Sequence, residues 1–275
     1  MAPTVRFFGL TAQSYALTLL LAVWVGLWLS AREARRLGVD ENLVYNLGFY
    51  SLLAALLGAR LAYVLGHWTA YQDAPLSALS LTPTALAWPE GALIGGVVAI
   101  VYWSRRRLPV GTTMDAIAPG LALALALERL GAFLDGRGFG EPTTLPWGVY
   151  LWDEVRHPVQ LYEAAVLLIV LGVLWRRRER RPFDKLRAGS FDGYSFALFA
   201  ILYAGSRLFL EAFRAETSLM ANGIRTVQVV ALGGMLSTVG YLYRRRFPAT
   251  EGTPGGEPSS LGEASPGDNV HNAVH

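Results

Sequence analysis

The sequence predicts an all-α, polytopic membrane protein whose seven transmembrane helices form one bundle, and two observations carry that prediction. First, 53% of the 275 residues are hydrophobic and only 16% are charged, whereas an average soluble domain is about 25% charged. Second, the hydrophobic residues form long uninterrupted runs, and the arginines gather in alternate connections between them. Such runs and such a basic bias are typical of a chain that crosses a bilayer repeatedly.

Seven runs are long enough to cross the roughly 30 Å of hydrocarbon in a bilayer. The first follows Arg6 as a signal peptide would, but its apolar core is longer than a signal sequence needs, so we expect a retained helix. No repeat of fixed period divides the chain, so residues 1–246 are predicted to form one domain with a short periplasmic or extracellular arm. The predicted spans are residues 11–31, 45–67, 91–103, 116–134, 159–175, 194–213 and 227–243.

The basic residues predict how the bundle is oriented. With the N-terminus outside the cell, 16 Lys and Arg residues fall in connections on the inner side and 5 fall on the outer side. Positive residues collect on the cytoplasmic side of membrane proteins. We therefore expect a multi-pass protein with its N-terminus outside and its C-terminus in the cytoplasm.

The composition limits the chemistry available to the chain. It contains no cysteine, which excludes disulfides, thiolate metal sites and a cysteine nucleophile of its own. Two of the four histidines lie in the last five residues, which leaves few ligands for a metal centre. The net charge of +3 gives no reason to expect a nucleic-acid partner. Residues 247–275 are rich in Gly, Pro, Ser and Glu and are predicted to be a disordered cytoplasmic tail.

Three arginines, Arg60, Arg129 and Arg207, lie within predicted spans. An arginine at the centre of a transmembrane helix costs roughly 2.5–3.5 kcal/mol on insertion scales, so each needs compensation within the bundle. Charged residues at membrane depth point to function by default. Acidic residues in or beside the spans offer the compensation, namely Glu128, Glu163, Glu211 and Asp115.

The sixth predicted span carries a charged face. Arg207, Glu211 and Arg214 are spaced at i, i+4 and i+7 and project from one side of a helix. One interpretation is an ion pair that locks two helices together. The other is an anion site, because a guanidinium matches phosphate oxygens with two parallel hydrogen bonds. In a membrane, the phosphate of a lipid head group is the obvious anion.

Two glycine-rich segments border the spans. ERLGAFLDGRGFG, from Glu128 to Gly140, is interpreted either as a tight turn leaving the membrane or as a pocket wall where backbone approaches a ligand, and its arginine favours the wall. EGALIGG, from Glu90 to Gly96, is more typical of close helix packing. An acidic residue at a helix start also suits the helix dipole.

RHPVQLYEA begins the fifth predicted span. Its residues His157, Gln160 and Glu163 lie within one and a half helical turns, with Tyr162 nearby. A structural cap is the favoured interpretation of this local pattern, and a hydrogen-bonding cluster at a functional site is the alternative.

Taken in order, these segments resemble the bacterial prolipoprotein diacylglyceryl transferase family over residues 14–240. The similar pieces are SYALTLLLAVWVGLWLSAREARRLG, GARLAYVL, EGALIGG, DAIAPGLALALALERLGAFLDGRGFG, RHPVQLYEA and GSRLFLEAFRAE. No single piece is decisive, but six in register are specific. The resemblance implies a location in the bacterial plasma (inner) membrane and no cofactor. It implies phosphatidylglycerol, a prolipoprotein signal peptide with a lipobox cysteine, and membrane lipids as partners.

The resemblance also implies a reaction, in which the diacylglyceryl group of phosphatidylglycerol moves to the lipobox thiol and leaves glycerol phosphate. The implied catalytic residues are Arg129 and Arg207 at the phosphate and leaving group, Tyr15 in the pocket, and Glu90 where the family has a histidine thought to act as a base. The implied substrate-binding residues are Arg60, Asp135, Gly140, His157, Glu211 and Arg214.

The sequence departs from the family pattern in two elements. Glu90 replaces the histidine of HGGLIG, and RLGAFLDGR replaces RxGNFxNGE, which puts Ala132, Asp135 and Arg137 where the family has Asn, Asn and Glu. Glu90 would accept a thiol proton if burial made it more basic, and Arg137 would pair with Asp135 or Glu90. The alternative function is a homologue without turnover that binds or presents anionic phospholipid. A small-solute transporter is less favoured, because no inverted repeat is evident.

Overall fold

The computed structural model describes residues 4–7, 10–72, 75–79, 85–151, 153–179, 192–215 and 225–246, and the predicted tail at 247–275 lies outside them. Within the described residues the long helices are α1 (Ser14–Leu37), α2 (Glu41–Gly66), α4 (Trp88–Arg106), α5 (Val110–Asp135), α6 (Val159–Glu179), α7 (Tyr194–Leu210) and α8 (Thr226–Arg246). The shorter elements are α3 (Trp68–Tyr71), 3-10 turns at Pro75–Leu79 and Glu211–Phe213, and two antiparallel hairpins, β1 (Thr4–Phe7) with β2 (Leu10–Gln13) and β3 (Val149–Leu151) with β4 (Glu154–Arg156).

Six helices of the described chain are long and apolar enough to cross a membrane, namely α1, α2, α5, α6, α7 with its 3-10 extension, and α8. The all-α, multi-pass membrane class is therefore confirmed. The third predicted span lies within α4, which does not reach the same apolarity because Glu90 and its terminal arginines lie within it. Leu93 and Ile100 of α4 are nevertheless exposed on its outer surface. The total of seven spans stays a prediction.

Neighbouring long helices run in opposite directions. Between α1 and α5, Gly131 lies against Thr18 and Gly120 lies against Ser30, so residues early in one helix meet residues late in the other. Glycine at these positions lets the two backbones approach closely. Side-chain contacts near the helix ends join the later pairs in the same antiparallel sense: Arg129 to Glu163, Arg177 to Tyr194 and Leu208 to Gln228.

The packing of α4 on α2 explains the second glycine-rich segment. A Cβ atom on Gly91 would lie 2.5 Å from the carbonyl oxygen of Ala55, and one on Gly95 would lie 2.7 Å from that of Ser51. Since real Cβ atoms are not found so close to backbone, only glycine permits this contact. The interpretation of EGALIGG as a helix-packing element is thus confirmed for Gly91 and Gly95.

The alternating directions give the bundle two distinct ends. At one end α1, α4, α6 and α8 begin while α2, α5 and α7 finish, and we call this the site end. The other is called the opposite end. Between them, small residues of α5 such as Ala118 and Ala122 pack against Leu167, Val170 and Phe199. This apolar middle fixes the spacing and rotation of α5, α6 and α7, and so fixes where their charged side chains meet.

Candidate functional site

Glu163 is the centre of an ion-pair cluster at the site end. Its carboxylate is 4% exposed and lies within hydrogen-bonding distance of three guanidinium groups. Arg129 Nη1 donates to it over 3.1 Å and Arg214 Nη2 over 3.0 Å, and Arg207 Nη1 donates to the same Oε1 atom as Arg214. The cations come from α5, from α7 and from the end of its 3-10 extension, and the carboxylate comes from α6. Three helices therefore converge on one anion.

Glu211 supports the same arginines from the side of α7. Its Oε2 atom accepts a hydrogen bond from Arg207 Nη2 at 2.9 Å and lies 3.7 Å from Arg214 Nε. The guanidinium of Arg225 donates to the backbone carbonyl of Glu211 and has no carboxylate partner among the described residues. The charged face expected from the i, i+4, i+7 spacing is thus present, although the chain tightens into a 3-10 turn at Glu211.

A second group of contacts extends the cluster toward α1. Glu128 accepts from Arg129 Nε at 2.5 Å, and its other oxygen accepts from the Tyr15 hydroxyl at 3.1 Å. The Arg137 guanidinium lies over the Tyr15 ring, 4.4 Å from the centroid, and pairs with Asp135. Of the two partners considered for Arg137 from sequence, the structure selects Asp135. The pair is local, since the two residues flank the turn that ends α5.

Arg214 holds a donor that the described residues do not satisfy. Its Nε atom is buried and makes no hydrogen bond. Gly138, at φ +65°, brings backbone close to this guanidinium, and a Cβ atom there would lie 3.5 Å from Nη1. Burying a cationic donor without an acceptor is costly. The nearest carboxylate oxygen, Glu211 Oε2, lies 3.7 Å away, which offsets the charge without a hydrogen bond.

The segment after α5 is both a turn and a wall. Gly136, at φ +74°, ends the helix, and Gly140 then bridges to Arg214 and donates its N–H to the carbonyl of His157 at 2.9 Å. A Cβ atom on Gly140 would lie 2.6 Å from His157 Cβ and 2.6 Å from the Phe213 carbonyl oxygen. The interpretation as a tight turn is therefore confirmed, and the same turn packs against the cluster; that its backbone approaches a ligand stays a prediction.

The polar residues of RHPVQLYEA point to different partners. His157 Nδ1 lies 3.3 Å from the Tyr162 hydroxyl, whereas the Gln160 side chain donates to the Arg137 carbonyl at 2.6 Å. Glu163 joins the arginines. The three do not form one hydrogen-bonded group, and His157 and Gln160 hold the wall segment in place instead.

Arg60 does not join the cluster. It is buried in α2 and donates to three backbone carbonyls, those of Ser77 and Ala78 at 2.7 Å and that of Ala85 at 2.8 Å. Carbonyl oxygens satisfy the guanidinium without a counter-charge. The expectation that an acidic residue compensates Arg60 is thus replaced by a role in holding the connection between α3 and α4.

Glu90 is at the site end but outside the cluster. It lies in the first turn of α4, is exposed, and makes no hydrogen bond or ion pair with the part of the chain that the structure describes. The burial invoked for its role as a base is therefore not provided by the described residues.

Asp115 was expected to help compensate the arginines within the spans, and its position shows that it does not do so at the site end. It lies near the opposite end and accepts hydrogen bonds from the backbone N–H groups of Gly193 at 3.0 Å and Phe196 at 2.9 Å. These N–H groups are unsatisfied at the start of α7, so the carboxylate caps that helix from a neighbouring one.

The central position of Glu163 was missed from sequence, where it was named as an available acidic partner and as a member of a local cluster with His157 and Gln160. One signal for it exists, since Glu163 is the only charged residue of the apolar run at 159–175. A lone carboxylate at that depth requires cationic partners. Within the described residues, no group of three His, Asp or Glu side chains is placed to hold a metal ion. The chemistry that this arrangement favours is anion binding by guanidinium groups.

Comparisons with known proteins extend over nearly the whole chain. The family model described as prolipoprotein diacylglyceryl transferase matches residues 3–244. A protein of Synechococcus elongatus named phosphatidylglycerol–prolipoprotein diacylglyceryl transferase is 33% identical over 244 residues, which cover 84% of this chain and 82% of the relative. Proteins of the same name from Nostoc sp. and Enterococcus faecalis are 32% and 30% identical, covering 89% and 88% of this chain and 90% of each relative.

Proposed function

This chain belongs to the prolipoprotein diacylglyceryl transferase family, and from that membership and the cluster around Glu163 we propose that it transfers the diacylglyceryl group of phosphatidylglycerol to the lipobox cysteine thiol of a prolipoprotein. The observation that carries the proposal is the convergence of Arg129, Arg207 and Arg214 on one anion between membrane-spanning helices. A lipid phosphate diester is an anion that reaches such a place from within the bilayer. Guanidinium groups bind its oxygens through paired hydrogen bonds.

The proposed reaction is one displacement at carbon. The cysteine sulfur attacks the glyceryl carbon that carries the phosphate ester oxygen, a C–S bond forms, and the C–O bond breaks with its electron pair going to oxygen. Diacylglyceryl thioether and glycerol phosphate are the products, and the thiol proton passes to a base. Negative charge grows on the departing phosphate oxygen, and preorganised cationic donors stabilise that charge in the transition state.

Arg129 and Arg207 have N–H groups that the glutamates do not use and that can bind the phosphate. A guanidinium carries five N–H groups, of which Arg129 and Arg207 each use two for glutamates. We assign the phosphate and the leaving group to these two residues. Glu211 and Arg214 orient them, and Glu163 holds the three cations at close spacing although their charges repel one another.

The remaining predicted residues hold the surroundings of the arginine cluster in place. The Tyr15 hydroxyl donates a hydrogen bond to Glu128, and the Tyr15 ring packs under the Arg137 guanidinium. Asp135 accepts a hydrogen bond from the same guanidinium. Gly140 and His157 set the wall that packs against Arg214. Arg60 acts indirectly, by fixing the connection into α4 at the same end.

We assign Glu90 as the general base that accepts the thiol proton. The carboxylates of the cluster already accept hydrogen bonds from guanidinium or tyrosine donors, whereas Glu90 has no such partner among the described residues. Glu90→Gln is expected to lower turnover about 100-fold, in the range typical of a lost general base. Glu141→Gln, at another exposed carboxylate of the site end, is the matched control. Unchanged turnover of the Glu90 variant would remove Glu90 from the mechanism.

The orientation follows from the proposed reaction. The site end lies on the outer side of the bacterial plasma membrane, where the signal peptide of an exported precursor is accessible, and the N-terminus lies outside. The excess of arginine in connections at the opposite end supports this orientation. Labelling of single cysteines introduced at each end of α1 in intact cells tests it directly, because only the outer position should react with an impermeant reagent.

The function is tested with purified protein, phosphatidylglycerol and a lipobox peptide. Formation of the thioether product, detected by mass spectrometry, supports the transferase. Retained phosphatidylglycerol binding without product supports the alternative, a homologue that binds or presents anionic phospholipid, for which the departures at Ala132 and Arg137 are the reason. Restoration of lipoprotein maturation in a cell depleted of its own transferase is the corresponding test in vivo.

A further inference from the structure

The opposite end of the bundle carries a basic groove that the proposed reaction does not use. The groove has a volume of about 570 Å³ and runs between the end of α1, the start of α2 and the end of α6. Four arginines and one glutamate line it together with Trp28: Arg32, Arg35, Arg36, Arg178 and Glu41.

A buried glutamate organises two of these arginines. Glu33 is 2% exposed, and it pairs with Arg36 Nε at 2.7 Å and with Arg178 Nη1 at 3.0 Å. The Arg178 guanidinium also lies 4.4 Å from the centroid of the Trp175 ring. These contacts join α1 to α6 and hold both cations at the groove wall, so its shape is built by the fold.

The groove has excess positive charge. Among the described residues the four arginines lie near three carboxylates: Arg35 pairs with Glu41, Arg36 and Arg178 pair with Glu33, and Asp115 lines the adjoining cleft with Arg36 and Arg178. Arg32 makes no ion pair or hydrogen bond with the described part of the chain, and its guanidinium only lies over the Trp28 ring, 5.5 Å from the centroid. Positive residues that merely set topology need no such convergence, and Arg105 at the end of α4 is exposed and outside the groove.

One face of α1 leads from the hydrocarbon into the groove. Leu20, Trp24, Trp28 and Arg32 follow one another at intervals of four residues and so lie along one side of the helix. Leu20 and Trp24 are 68% and 61% exposed, as expected of residues that face lipid. Tryptophan favours the boundary between hydrocarbon and head groups, so we expect the guanidinium of Arg32, one turn beyond Trp28, at the depth of lipid phosphates.

We propose that this groove binds the phosphate head group of an anionic phospholipid, with an acyl chain along the Leu20–Trp24–Trp28 face of α1. Arg32 and Arg35 contact the phosphate, and Arg36 and Arg178 shape the wall. The excess charge selects anionic over zwitterionic lipids, since each basic residue near a membrane surface strengthens the attraction for anionic lipid about fivefold. The site is separate from the arginine cluster and does not depend on the transfer reaction.

The test uses the full chain in detergent micelles and a phosphatidic acid that carries a photoreactive group near its phosphate. Crosslinks are expected on peptides from the ends of α1 and α6. Native mass spectrometry of the same protein is expected to show one fewer tightly held phosphatidic acid in Arg32→Gln/Arg35→Gln, with an affinity about thirtyfold lower. Arg105→Gln, which also removes a cation at this end, is expected to retain the lipid and the crosslinks.

Competition distinguishes the kinds of ligand. Unlabelled phosphatidic acid should abolish the crosslinks, whereas phosphatidylcholine and millimolar inorganic phosphate should not. Equal competition by inorganic phosphate would show a site for soluble anions, and equal competition by phosphatidylcholine would show an unselective surface; either result overturns the proposal. Crosslinks and lipid counts that do not change in the double variant also overturn it. An Arg207→Gln protein that loses lipid at the site end but keeps these crosslinks would show that the two sites are independent.

Discussion

The two ends of the bundle each bury a glutamate beside arginines, yet the surroundings differ. At the site end, Glu163 contacts three arginines whose side chains are at most 26% exposed. At the opposite end, Glu33 contacts two, and the neighbouring Arg35 is 72% exposed beside an open groove. A buried carboxylate among cations is therefore not by itself the mark of a reaction site. The enclosed end suits charge stabilisation during chemistry, whereas the open end suits reversible contact with a head group.

The sharpest way to separate the ends is to remove one arginine from each. Arg207→Gln is expected to lower transfer by a factor of about 100 to 1,000, as loss of one preorganised donor to a developing oxyanion does. Arg105→Gln at the opposite end should remain within about twofold. Transfer of radiolabelled or fluorescent diacylglyceryl to a lipobox peptide measures both.

Arg207→Lys refines that result, because lysine keeps the charge but loses the planar fork of donors. Activity is expected to fall between those of the wild type and the glutamine variant. Full activity of Arg207→Lys would mean that charge alone is sufficient and that the paired contacts of Arg207 to Glu163 and Glu211 do not contribute.

Substitution of the two buried glutamates should lower the free energy of unfolding by different amounts. Glu163→Gln leaves three poorly exposed guanidiniums without their shared anion and is expected to destabilise the fold by about 3 kcal/mol, as breaking a buried ion pair does. Glu33→Gln should cost less, about half as much, because Glu33 pairs with two arginines rather than three. Denaturant unfolding in micelles measures both. The reverse order would contradict the comparison.

Tyr15→Phe probes the link between α1 and the cluster. The variant removes the hydroxyl that donates to Glu128 but keeps the ring beneath Arg137. We expect transfer to fall about tenfold, equivalent to one hydrogen bond to a charged group. Tyr15→Ala should fall further because the ring is lost as well, and equal activities of the two variants would assign the whole effect to the hydroxyl.

Asp115→Asn, at the opposite end, is expected to have the smallest effect on stability and activity. The carboxylate caps α7 through two backbone N–H groups, and an amide oxygen replaces it only in part. A loss of about 1 kcal/mol in unfolding free energy is expected, typical of a helix cap. Transfer at saturating lipid should be unchanged, and a large loss of activity would show that the two ends are coupled through α7.

The sequence indicated the membrane class, the order of the helices and most of the charged residues at the site end. Hydropathy and positive charge act along the chain and are therefore readable from it. Helix ends were less well predicted: α1 continues to Leu37, past the span expected at 11–31, because a helix can extend beyond the hydrocarbon with charged residues at its end. The resemblance to a transferase family also needed only the chain.

Tertiary structure alone decided which charges meet. Glu163 binds arginines that are 34, 44 and 51 positions away, and such pairing depends on how α5, α6 and α7 are rotated against one another. The same packing places Asp115 at the start of α7 and Arg60 beside backbone carbonyls. From sequence, a charged partner had been expected for each of them. An arginine in a predicted span indicates that a partner is required, because an unpaired guanidinium in hydrocarbon is costly. Only the packing of apolar and glycine residues between the helices determines which partner lies within reach.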